Sequence, residues 1–348
     1  MTRTRDTAIE WTDKTWNPVT GCTKVSPGCA HCYAEGVAER FWPKQYPERF
    51  RLGHADVNTV PVSYYERDKA DGLTRPRRFT DVMTHADRLD QPLRWRKPAR
   101  IFVNSMSDLF HEDVSDEFLH RVYHVMEHAR WHTFQVLTKR VARMQKYLSW
   151  RYGPREDGAG SRIPSRHIWH GVSVENQLFA DERIPLLLQT PAAVRFISAE
   201  PLLGPVNLTR IEHVGPGATG TCFLDVLKGQ GCSIGGVWPY GRLDWVIVGG
   251  ESGRQARPCE VAWVRVLVQQ CQAAHVPVFV KQLGSDPRDA AAERDDMCAR
   301  ETWPEGWLPT IDGRRVWRPD LSHRKGGDPA EWPAEVRVRE YPTSTTHD

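Results

Sequence analysis

The chain has 348 residues, and 47 Lys+Arg against 44 Asp+Glu leave a formal charge of +3 with its 14 His counted neutral. A balance so near zero names no polyanionic partner, while 40% hydrophobic and 26% charged residues describe a globule with a substantial core and exclude wholesale disorder. No run approaches the ~18 uninterrupted apolar residues of a membrane span, and the opening Met-Thr-Arg-Thr-Arg-Asp has no apolar stretch behind its charges. A cytoplasmic protein without a membrane partner is expected, and in that reducing compartment clustered cysteines more often bind metal or do chemistry than form disulfides.

Three of the eight cysteines fall in one early loop with the spacing Cys22-x6-Cys29-x2-Cys32. Gly21, Pro27 and Gly28 make it turn, and Tyr33, Val37, Ala38 and Phe41 then share a helical face. Residues 41–100 read as a long basic and aromatic insertion with a helix around Asp81 to Leu89. Six short apolar runs follow: Arg100 to Asp108, Phe134 to Arg140, Ile168 to Glu175, Val194 to Glu200, Leu243 to Glu251 and Val276 to Gln282. Such runs are typical of buried parallel strands. Helical faces lie between them: Phe118, Leu119, Val122, Val125, Met126 and Ala129 behind a Ser115 or Asp116 cap; Val141, Met144 and Leu148; and Val264, Leu267, Val268 and Cys271. Residues 211–242 are Gly-rich without clear periodicity.

This repeated βα order predicts an α/β fold, a partial or complete (β/α) TIM-type barrel of parallel strands over 1–284. Residues 41–100 and 211–242 would be insertions at its mouth, and 285–348 a C-terminal extension or cap. Ser105, Ser107, Asp108, Thr138, Lys139, Arg140, Ser173, Glu175, Ser198, Glu200, Glu251, Lys281 and Gln282 all end predicted strands, the edge where a barrel places its active site. At any one position a polar residue can also simply mark where the strand leaves the core.

Three thiolates from one loop ahead of a helix suit a soft metal centre, with the helix dipole favouring their charge. In one reading Cys22, Cys29 and Cys32 bind three irons of a [4Fe-4S] cluster and the fourth iron stays open. In another, His31 or a distant cysteine completes a four-ligand zinc site. A third treats the cysteines as small buried hydrophobes. Cys271 lies on an apolar helical face, and Cys222, Cys232, Cys259 and Cys298 have no tight metal spacing.

The segments IEWTDKTWNPVTGCTKVSPGCAHCYAE, NSMSDLFHEDV, LTKR, GVSVEN, SAEPLLG, VGGESG and VKQLG, in that order, resemble a phage and bacterial three-Cys-motif family of unknown function described as radical-SAM-like. The resemblance covers most of Ile9 to Gly284. The cysteine spacing departs from the C-x3-C-x2-C usual in the radical S-adenosylmethionine (SAM) superfamily. The resemblance implies a [4Fe-4S] cluster that binds SAM, an electron donor such as flavodoxin or ferredoxin, and reductive cleavage of SAM to a radical that takes hydrogen from the substrate. It places His31 near the adenine, Ser105, Ser107 and Asp108 near the SAM amino group, Lys139 and Arg140 near its carboxylate, and Ser173 and Glu175 near the ribose. Glu200, Glu251 and Lys281 are left for catalysis on the substrate.

The basic stretch Arg75 to Arg100 with Trp95, and the tail residues Trp303, Trp307, Arg314, Arg315, Trp317 and Arg318, are compatible with a groove for a nucleotide or nucleic-acid substrate. Arginine stacking on tryptophan within the fold accounts for the same residues. A non-catalytic zinc- or cluster-stabilised nucleic-acid-binding protein is therefore the alternative function.

Overall fold

The computed structural model describes residues 6–42, 65–67, 74–154, 163–213, 222–233, 236–289, 307–308, 316–317 and 321–342. The fold is mixed α/β. Seven parallel strands, β1 (Lys14–Trp16), β2 (Arg100–Val103), β3 (Thr133–Thr138), β4 (Ile168–Ser173), β5 (Val194–Ala199), β6 (Trp245–Gly249) and β7 (Val278–Gln282), form a sheet whose strand order follows the chain. Five α-helices alternate with them: α1 (Tyr33–Phe41), α2 (Asp116–His128), α3 (Val141–Tyr152), α4 (Gln177–Gln189) and α5 (Val261–Ala273). All six predicted runs are strands, joined by β1 ahead of the cysteine loop. The chain divides into two compact units, Met1–Ala8 with Thr12–Val136 and Ile9–Trp11 with Leu137–Asp348.

In the first unit β2 pairs in parallel with β1 and β3. Trp16, Ile101, Val103 and Phe134 are fully buried, and the Trp16 indole packs 6.0 Å from the Phe134 ring while its Nε1 donates to Arg88 O. Ser115 caps α2 by accepting from the Phe118 amide, leaving Phe118, Leu119, Val122, Val125 and Met126 on the buried face. The helix expected over Asp81 to Leu89 is replaced by the strand Met83–Thr84, a 3-10 turn at Ala86–Arg88 and the short helix Gln91–Arg94. Met83–Thr84 pairs antiparallel with Val19–Thr20, so a long-range ladder overrides a weak local helical pattern.

In the second unit β4, β5, β6 and β7 pair in parallel, and β4 and β6 are buried at every residue. Trp245 centres an aromatic cluster with Trp11, Trp169, Phe196, Phe279 and Tyr341 at 5.5 to 6.3 Å. Residues 338–340 run antiparallel along β7, with Val280 N–H donating to Val338 O and Glu340 N–H to Val278 O. This segment covers a strand edge that would otherwise offer free backbone groups. The aperiodic stretch after β5 is a four-stranded antiparallel sheet, Ile211–His213, Cys222–Asp225, Gln230–Ser233 and Gly236–Pro239. It meets helix α4 where the Glu212 amide donates to Asp181 Oδ1.

His170 on β4 is 1% exposed, and burial together with the Arg195 charge pushes its pKa down to about 3. The unfolded chain takes up that proton near pH 6.5, so the stability from keeping His170 neutral is complete above pH 6.5 and is lost as pH falls toward 3. Lowering the pH from 7 to 5 should cost about 2 kcal/mol through this residue, read as a lower urea midpoint, and His170→Gln should flatten that dependence.

Candidate functional site

The cysteine loop begins where β1 gives way to Val19–Thr20. Gly21 N–H donates to Met106 O (3.0 Å) and Cys22 N–H to Phe79 O (2.9 Å). Arg77, 5% exposed, lies beneath this segment: its guanidinium donates to Thr20 Oγ1, Thr20 O and Asp81 O, and stacks 4.3 Å from the Trp42 ring. Thr23 Oγ1 is 2.8 Å from His111 Nε2. Because His111 Nδ1 accepts from the Asp113 amide, Nε2 carries the proton and donates to Thr23. The backbone around Cys22 is thus fixed from three directions.

Gly21 has φ +89°, and a Cβ there would lie 2.6 Å from Asp81 O and 2.9 Å from Arg77 Nη2. Gly21→Ala is therefore expected to destabilise the chain by roughly 1–3 kcal/mol, from backbone strain plus the clash. A chemical denaturation curve beside the wild type checks this.

Cys29 ends a 3-10 turn, Pro27–Cys29, and Cys32 stands at the N-terminus of α1. Ser26 Oγ lies 3.7 Å from Cys29 Sγ, and Lys24 pairs with Glu35 of α1 at 2.9 Å. Burial pushes the Cys32 thiol up, the Glu35 and Ala34 amides at the start of α1 pull it down, and the charges of Cys29 and Glu35 push it up again. A bound metal cation reverses such a balance, because a coordinating thiol is deprotonated outright. The donor chemistry fits a soft metal centre. Among the described residues, no three His, Cys, Asp or Glu side chains are gathered as a metal-holding group. His31 is exposed. Cys259 and Cys271 are buried, with thiols pushed up to about 12, and Cys222 is buried while Cys232 is exposed; Cys298 lies outside the described residues.

The β2 end lies in the same unit. Ser105 Oγ donates to Asn17 Oδ1 (3.2 Å) and Ser107 Oγ to Val19 O (2.9 Å), so both hydroxyls fasten the segment entering the cysteine loop. Asp108, 6% exposed, accepts from the Phe110 amide at 2.9 Å. Asn104 and His111 belong to the quoted segment Asn104 to Val114 and Arg77 to the basic stretch Arg75 to Arg100, but none of the three is among the expected cofactor-site residues.

The second unit carries the other candidates. Lys139 and Glu175, assigned to different parts of SAM, pair with each other: Lys139 Nζ lies 3.2 Å from Glu175 Oε1. Glu175 is fully buried, and so is Arg183 of α4, which donates to Glu175 Oε2 (3.1 Å) and Ser173 O (2.8 Å). Ser173 is buried and Arg140 half-buried at the head of α3, where its amide donates to Thr138 Oγ1. Glu251 is held at both carboxylate oxygens by Arg257, and that hydrogen bonding raises the Arg257 pKa. Glu200 forms an ion pair with Lys281. Gly249 makes room for it, since a Cβ there would come within 3.3 Å of the Glu200 carboxyl carbon. Among the described residues of this unit, five acidic and basic residues picked from its strand ends are ion-paired: Lys139 with Glu175, Glu200 with Lys281, and Glu251 with Arg257. The tail residues Trp303, Arg314, Arg315 and Arg318, and the side chains of Arg75, Trp307 and Trp317, lie outside the description.

A sequence model of the family described as protein of unknown function (DUF5131) matches residues 6–307. The chain belongs to this family. The matched span of the DUF5131 chain contains the three-cysteine loop, all seven sheet strands and the three ion pairs. No curated protein and no solved structure gave a match to the sequence. Among the described residues, no helix is long and apolar enough to cross a membrane.

Proposed function

We propose that this DUF5131 chain is a radical-SAM-type enzyme built on a partial (β/α) barrel, with Cys22, Cys29 and Cys32 as the three protein ligands of a [4Fe-4S] cluster. The observation that carries the reading is placement: the three cysteines leave the C-terminal end of β1, the first strand of a parallel sheet whose order follows the chain, and run directly into α1. The resemblance of the loop and the later strand-end motifs to the radical-SAM-like family supports it. When bound, the cluster and SAM would supply one-electron cleavage of a carbon–sulfur bond and hydrogen abstraction; the protein supplies binding, orientation and exclusion of water.

In this reading Arg77 and His111 act as positioning residues for the loop, and Ser105 and Ser107 fasten its approach. In the first unit, Asp108 remains the candidate for the SAM amino group and His31 for the adenine. The Lys139–Glu175 pair offers both signs of charge at the β3 and β4 ends. Glu200 with Lys281 is the best-placed acid–base couple, because the two side chains form an ion pair and each is only part-buried. Glu251, gripped by Arg257, fits a positioning role better than proton transfer. A nucleotide or nucleic acid is the substrate class that the basic stretch Arg75 to Arg100 suggests.

The test is anaerobic incubation of the iron-reconstituted full chain with SAM and dithionite. Formation of methionine and 5′-deoxyadenosine supports the reading. A wild-type protein that holds one zinc and binds oligonucleotides in a salt-dependent way, without SAM turnover, establishes the non-catalytic alternative instead.

A further inference from the structure

Two independent anomalies meet at Asn104, the residue that follows β2. Its backbone is left-handed at φ 63°, a conformation that non-glycine residues adopt rarely and that clusters at functional sites. Its side chain is 2% exposed, and Nδ2 has no hydrogen-bond partner among the described residues. The amide orientation is set by the other atom, because Oδ1 accepts from the Val19 amide at 3.4 Å. Turning the carboxamide over would oppose two N–H groups, so the orphan is the NH2 donor.

The surroundings are those of the cysteine loop. Asn104 N–H donates to Trp16 O at the end of β1, Asn104 O accepts from Ser107 N, and Ser107 bridges to Gly21. Leaving a buried donor unmade is destabilising, and asparagine is one of the few side chains that tolerate left-handed backbone at all. Glycine would hold the same turn without burying a donor. The expense is explained if the donor has work to do when a ligand arrives.

We infer that Asn104 is a ligand-binding residue whose Nδ2 donates to an oxygen acceptor, such as a carboxylate oxygen, of a small molecule bound at the β2 end. On the reading of function above, which this inference rests on, that molecule is the amino-acid nucleoside cofactor. The donor is distinct from Ser105 and Ser107, whose hydroxyls are committed to Asn17 and Val19.

Two substitutions separate the donor from the backbone. Asn104→Asp keeps the shape and the acceptor for Val19 but replaces the donor with an oxygen; Asn104→Gly keeps the left-handed turn and removes the side chain. SAM and S-adenosylhomocysteine are titrated calorimetrically into the anaerobically reconstituted full chain, with iron content and Tm measured in parallel. The expected result is at least tenfold weaker binding in both variants with iron per chain unchanged; Tm stays within a few degrees of wild type in Asn104→Gly and falls in Asn104→Asp, whose carboxylate is buried without a cation. Wild-type affinity in both variants overturns the inference while leaving the function standing; a Tm lowered in Asn104→Gly beside it assigns the side chain to internal structure instead. An iron-loaded wild type that binds neither compound overturns the functional reading, and the inference with it.

Discussion

Alanine at Cys29 is expected to drop iron retention from about four atoms per chain to below about one, and to remove the visible absorption of the reconstituted protein. The same loss is expected at Cys22 and Cys32, because in the proposed site three thiolates would be the whole protein contribution to the cluster and the loss of one would leave an iron without an anchor. Cys271→Ala is the control. Its thiol is buried and pushed up to about 12, the behaviour of a small core residue rather than of a ligand. That variant should keep its iron and lose only modest stability. Equal iron in Cys29→Ala and Cys271→Ala, measured on matched samples, would remove the cysteine loop from the account.

The largest stability effect is expected at Glu175 and Arg183. Both are essentially without solvent contact, and their attraction compensates the desolvation of two charges. Removing one partner leaves the other charge buried, a cost of about 3–5 kcal/mol. Glu175→Gln leaves both Arg183 and Lys139 without their carboxylate, whereas Arg183→Met leaves Glu175 with Lys139 alone at 3.2 Å. Glu175→Gln should therefore be the more damaging. The double variant should be less destabilised than the sum of the two single ones, by ~1–3 kcal/mol, since the second substitution removes a charge already stranded. Urea unfolding of the four proteins gives the cycle; additive losses below about 1 kcal/mol each would show that the pair is not a structural keystone.

The sheet was legible because its strands are buried on both faces and so read as unbroken runs, Ile168 to Ser173 and Trp245 to Gly249 above all. Helix α4 was harder to see. Pro185 sits in its interior and its apolar residues fall almost all round, leaving little amphipathic contrast. The antiparallel sheet within residues 211–239 has strands of three or four residues, one of them Gln230–Ser233, too short and polar to show alternation. The Asp81 to Leu89 helix failed for the converse reason: local spacing suggested it, but the backbone at Met83–Thr84 is taken by Val19–Thr20, more than sixty positions earlier in the chain.

At the site, cysteine spacing and strand-end polarity were visible because both are local patterns. Partnerships were not. Lys139 and Glu175, expected at separate parts of the ligand, are paired by the fold, and Arg183, eight residues past Glu175, belongs to no motif that would mark it. Arg77 and Asn104 matter through contacts to Thr20 and Val19, at 57 and 85 residues' separation, which no motif encodes. Asn104 alone left a trace in the sequence, as an asparagine directly after a strand, where left-handed turns are common.

The most direct measurement of the central claim is iron and acid-labile sulfide per chain after anaerobic reconstitution of the wild-type protein, read with its visible spectrum. A brown protein with about four iron and four sulfide per chain is the expected result. A colourless protein holding a single zinc, or no metal at all, would contradict it.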